Sequence, residues 1–133
     1  FGIETTLATR TLLRMVREAQ QEGYFVTVLY FWLDSPERAL ERVQSRVSKG
    51  GHNIPPETIR RRYFMGLQYF FEDYTKVCDR WILADNSIPP FRVVAEGFRE
   101  SSEMIVRDTV AFEKIKACLA EHRAAQQKEK NGE

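Results

Sequence analysis

Two amphipathic helical patterns meet at Gly50-Gly51 and Pro55-Pro56, and no regular element passes easily through that pair of breaks. The stretch from Arg46 to Arg62 is therefore a hinged connection between two helices. It is basic at both rims: Arg46 and Lys49 precede the break, and Arg60, Arg61 and Arg62 follow it. The whole chain carries a net charge of only +1, yet from Ser35 to Arg62 seven Lys and Arg stand against three Glu. Such a local excess suits a phosphate-bearing or polyanionic ligand. The segment 46–62 reads as a lid that closes over an anion.

The flanking sequence supplies the scaffold. From Leu7 to Glu22, Leu12, Leu13, Val16 and Ala19 recur at helical spacing, with Thr5 and Thr6 as caps ahead of them and Gly23 as the stop. Residues 24–33 are almost continuously apolar, the pattern of a strand buried on both faces of a parallel sheet. Asp34-Ser35-Pro36-Glu37 opens a helix whose inner stripe is Leu40, Val43 and Val47. After the hinge, Ile59, Tyr63, Leu67, Phe70, Tyr74 and Val77 form a second stripe. Residues 81–84, 92–97 and 104–106 read as short strands, and Thr109 to about Arg123 as a final helix. Residues 124–133 read as a polar tail.

Strands alternating with helices predict a single α/β domain over 1–123, with a mainly parallel sheet and helices on both faces. Ligands of such sheets sit beyond the C-terminal strand ends. Three polar switches fall at those places: Glu4-Thr5-Thr6, Asp34-Ser35 and Asp85-Asn86-Ser87. The 133 residues contain no apolar run of membrane-spanning length, so no membrane partner is expected. Cys78 and Cys118 are isolated, as are His52 and His122, so neither a disulfide framework nor a metal site is read from them. The thiols read as small buried hydrophobes in a reducing cytoplasm.

Several of these segments together resemble the zeta-toxin-like P-loop kinases, in particular a bacterial branch of predicted ATPases. The segments are Ile3-Glu4-Thr5-Thr6-Leu7, Gly23-Tyr24 before a strand, and Arg42-Val43 with Arg46-Val47. They continue with Gly50-Gly51-His52-Asn53-Ile54-Pro55, Arg61-Arg62-Tyr63 and Asp85-Asn86-Ser87. The resemblance runs from Phe1 to about Ala95 and implies a three-layer P-loop kinase-like fold. It also implies ATP and Mg2+ as cofactors, a small-molecule hydroxyl acceptor such as UDP-N-acetylglucosamine, and, for toxin members, an antitoxin partner. Arg46 and Arg62 would be the catalytic lid arginines, neutralising charge on the transferring phosphoryl group. Glu4, Thr5 and His52 would meet the acceptor, and Arg61, Asp85 and Asn86 the nucleotide.

Plainer roles stand beside these. Thr5 also suits a helix cap, Asp85-Asn86 a simple turn, and His52 an ordinary loop position. Consecutive arginines at 60–62 sweep about 200° of helix, so spacing leaves open which of them meets phosphate. No Gly-x-x-x-x-Gly-Lys-Ser/Thr motif occurs in the chain. It therefore resembles the C-terminal two-thirds of such a kinase, from which catalysis is not expected in isolation, and whose open sheet edge would favour self-association. The other reading from charge is a module gripping an RNA or DNA backbone through residues 38–62, and a third is a non-catalytic assembly subunit.

Overall fold

The computed structural model describes residues 2, 7, 9–51, 53–101 and 103–132. Its elements are α1 (Thr11–Gln21), β1 (Thr27–Trp32), α2 (Pro36–Ser48), α3 (Pro56–Tyr69), a π-helical turn (Phe70–Tyr74), α4 (Thr75–Val77), β2 (Arg80–Asp85), β3 (Arg92–Phe98), β4 (Met104–Val106) and α5 (Thr109–Lys130). The chain is thus a mixed α/β protein.

Local chemistry explains most boundaries. Leu7 has φ 56°, a left-handed conformation that a helix cannot continue through, and α1 starts only at Thr11. Thr5 and Thr6, expected as its caps, lie outside the described residues. Gly23 and Gly50, at φ 92° and 97°, close α1 and α2 in the same way. Gly23 donates to Gln20 and Tyr24 to Ala19; Gly50 donates to Val47 and Gly51 to Arg46, so these four carbonyls near the helix ends are satisfied. Ser35 caps α2 by accepting the Arg38 N–H at 3.2 Å, and Pro36 follows at the first helical position.

The four strands among the described residues lie in the order β1-β2-β3-β4. β1 and β2 are parallel, with Trp32 opposite Asp85, whereas β2–β3 and β3–β4 are antiparallel. The sheet is therefore mixed rather than mainly parallel. Connection length dictates this: only residues 86–91 and 99–103 join the later strands, too few for a crossover helix.

The expectation of helices on both faces is also corrected. Tyr30 stacks on Phe70, which meets Trp81 edge-on, so the long helix after the hinge packs against one face. α5 joins that layer through Phe112, Ile115 and Leu119, all buried. α1 sits beside it: the Tyr74 hydroxyl donates to the Thr9 carbonyl, and Gln20 donates to the Val77 carbonyl. On the opposite face Leu29, Phe31 and Ile105 are 42%, 43% and 52% exposed. β1 accordingly alternates between exposed and inward positions instead of being buried on both sides. Its near-continuous apolarity concealed that alternation.

The π turn lets Phe70 and Tyr74 bury completely while Phe71 also packs against the core. A five-residue turn is wide enough to bring these neighbouring aromatics to one side. α5 runs past the expected limit into the polar tail as far as Lys130, on residues such as Ala, Gln, Lys and Glu that favour helix without needing burial. No helix among the described residues is long and apolar enough to cross a membrane.

Candidate functional site

The ends of β1 and β2 are stitched together by backbone and side chain. The Asn86 N–H donates to the Trp32 carbonyl at 2.9 Å, and the Asp34 N–H donates to Ser87 Oγ, also at 2.9 Å. Ser87 Oγ in turn donates to Asp85 Oδ1 at 2.6 Å, and the same oxygen receives the Ser87 N–H at 2.9 Å. The second and third polar switches therefore do converge. Glu4 and Thr5, from the first switch, lie outside the described residues, as does His52.

α2 rises from this seam with two arginines turned back onto it. Arg38 clasps Asp34 through Nε at 2.7 Å and Nη2 at 3.2 Å. That guanidinium holds the Asp34 carboxyl below the ordinary carboxylate range against the opposing pull of partial burial, and Lys114 assists. Arg42 donates to the Asn86 carbonyl and, at 3.4 Å, to that of Ser87. Tyr63 anchors α3 at the same place, its hydroxyl donating to the Leu33 carbonyl at 2.5 Å. Burial pushes this phenol above its ordinary range, so it stays protonated and able to donate.

The predicted lid is a helical hairpin. α2 and α3 face each other across an apolar crevice of about 230 Å³ bordered by Leu40, Val43, Val47, Ile54 and Ile59. Arg60 reaches Glu37 at 3.5 Å across the pair. Arg62, half-buried beside Tyr63, stands near the hairpin base. Arg46 stands two turns beyond Arg38, about 12 Å farther along α2. Among the described residues, Arg46, Arg61 and Arg62 make no ion pair or side-chain hydrogen bond. Arg46 and Arg62 thus frame the hairpin without touching each other.

The remaining predicted positions contribute differently. Asp85 turns inward to Ser87, while Asn86 enters the seam through its backbone. Sequence reading passed over Tyr63, which it placed in the apolar stripe, and the Asp34–Arg38 clasp. The i, i+4 spacing of that acid and base was the available signal. The Gly50 and Gly51 amides are taken up by the end of α2, so they form no phosphate cradle. No cluster of three His, Cys, Asp or Glu suited to a metal occurs among the described residues. These residues do not fit the phosphates of ATP or Mg2+.

No family model matches the chain, and no solved structure matches it. A protein of Haemophilus influenzae (strain ATCC 51907 / DSM 11121 / KW20 / Rd), described only as an uncharacterized protein, is 30% identical over 63 residues. The match covers 47% of this chain and 45% of that relative, so it spans less than half of either.

Proposed function

We propose that the chain is part of an ATP-dependent kinase of the zeta-toxin-like P-loop class that phosphorylates a hydroxyl of a small molecule. A nucleotide sugar such as UDP-N-acetylglucosamine is the acceptor implied by the resemblance. The observation that carries this reading is the α2–α3 hairpin, which rises from the joined ends of two parallel strands and keeps Arg46, Arg61 and Arg62 unpaired. Arg61 and Arg62, left free on the helix that Tyr63 ties to the end of β1, suit a phosphoryl group that gains charge in transfer, with Arg46 farther out along α2. ATP and Mg2+ would be held by residues other than those described.

The RNA- or DNA-backbone reading is less favoured. Arg38, Arg42 and Arg60 already have protein partners, which interrupts the basic stripe between residues 38 and 62. The deciding measurement is phosphotransfer by the intact gene product from ATP to the nucleotide sugar. Arg62→Ala is expected to lower kcat by about a hundredfold or more with the circular dichroism spectrum unchanged. If Arg62→Ala and Arg46→Ala both keep full rate, the lid assignment fails. A reading frame with no Gly-x-x-x-x-Gly-Lys-Ser/Thr ahead of Phe1 overturns the kinase assignment altogether.

A further inference from the structure

A second concavity lies at the other end of the sheet. It is a groove of about 480 Å³ beside Trp81, the second residue of β2, about 13 Å along the strand from Asp85. Its volume falls within the range of small-molecule sites. The floor is apolar: the Trp81 indole, the Phe71 and Phe112 rings and the Met104 thioether. Gly97 keeps that floor flat, because a Cβ there would stand 2.8 Å from three indole atoms.

The rim has the opposite character. Lys76, Arg99 and Lys116 line the groove, and no acidic side chain among the described residues does. Arg99 leans on Asp79 at 3.4 Å and Lys116 on Glu113 at 2.9 Å, both acids standing outside the groove. The Lys116–Glu113 pair is half-exposed, and a pair of that kind is weak and exchanges readily for another anion; Arg99 is itself partly exposed although Asp79 is mostly buried. Lys76 has no ion partner among the described residues. The Lys116 ammonium lies 4.8 Å from the centre of the Phe112 ring, directly at the join of cationic rim and apolar floor.

We propose that this groove binds an alkyl carboxylate of medium chain length, with its hydrocarbon on the Trp81–Phe112 floor and its carboxylate among Lys76, Arg99 and Lys116. An apolar floor alone would accept any lipid-like molecule. The one-signed rim selects the anion and disfavours its neutral and cationic counterparts.

The test is calorimetric titration of the chain with decanoate, decanol and decyltrimethylammonium, each below its micellar concentration. Decanoate is expected to bind about tenfold tighter than either of the others. The double variant Lys76→Glu, Lys116→Glu should weaken decanoate by about tenfold and leave decanol within about twofold. Lys76→Ala, which removes one exposed side chain with no ion partner, serves if the double variant misfolds, and should weaken decanoate by about threefold. Leu29→Ser, on the open sheet face, should leave decanoate binding unchanged. Equal affinity for the ammonium compound, indifference to the lysine variants, loss of binding in Leu29→Ser, or no saturable binding of decanoate would each overturn the proposal.

Discussion

Ser87 Oγ accepts the backbone N–H of Asp34 at 2.9 Å and so ties the exit of β1 to the exit of β2, beside the bond from the Asn86 N–H to the Trp32 carbonyl. The serine is 7% exposed and satisfies Asp85 at the same time. Ser87→Ala leaves a partly buried N–H without its acceptor and should cost about 1–2 kcal/mol. Thermal unfolding is the measurement, with a drop in Tm of roughly 4–8 °C expected for a domain near this size.

Asp79 is the main source of acid sensitivity expected near α1. Its carboxylate accepts the Val26 N–H at 2.8 Å and Gln20 Nε2 at 3.1 Å, with Arg99 at 3.4 Å. The Val26 N–H, then Gln20 and Arg99, hold its pKa below the ordinary value against the opposing effect of burial. A depressed folded pKa contributes stability above the unfolded value near 4, and that stability is lost as pH falls through the folded value. Asp34 and Glu96 are depressed in the same direction, chiefly by Arg38 and by Arg107. Tm should therefore hold steady down to about pH 5 and fall below about pH 4. Asp79→Asn should lower Tm at pH 7 and flatten the acid slope, as a series of melts across pH would show.

Both thiols should be slow to react in the folded chain. Burial pushes the Cys78 thiol up to about 11. Burial also raises Cys118, against a lowering hydrogen bond with Tyr63. At pH 8 little thiolate is present at Cys78, and labelling by a disulfide reagent should run about a hundredfold slower than in urea. Rapid native labelling of two thiols per chain would contradict this packing.

Gly51 sits against the end of α2 so closely that a Cβ would lie 2.9 Å from the Arg46 carbonyl oxygen. Because the obstruction is backbone, Gly51→Ala must displace the hairpin tip, at a cost of about 1–3 kcal/mol. Gly2→Ala, where a Cβ meets nothing within 4 Å, is the matched control and should melt with the parent chain.

Much of the architecture was legible because it is written in local chemistry. Asp34-Ser35-Pro36-Glu37, the two glycine stops and the stripe from Ile59 to Tyr74 announce their elements through capping, backbone freedom and period. Strand direction is a property of the connection, and the six residues between Asp85 and Arg92 were the signal for an antiparallel return. The open face of β1 escaped notice because Leu29 and Phe31 are as apolar as the inward Val28 and Tyr30. Within the site, the meeting of Asp34 with Ser87 follows from equal strand lengths. No residue pattern announces that Arg38 and Arg42 are held by the protein while Arg62 is not, since that depends on which carbonyls and carboxylates the folded chain brings near.

The π turn has a consequence for the arginines upstream of it. A helix advances about 100° with each residue, so an extra residue in one turn resets the angular phase of everything before it relative to everything after. Phe70 to Tyr74, whose first residue packs on Tyr30 and Trp81 of the sheet, follow directly on α3, which carries Arg61 and Arg62. Rewinding that turn as regular α-helix with every residue kept would rotate the hairpin about its own axis by about 100°. The aim of the basic hairpin is thus set from inside the core, by an aromatic joint that never touches its tip.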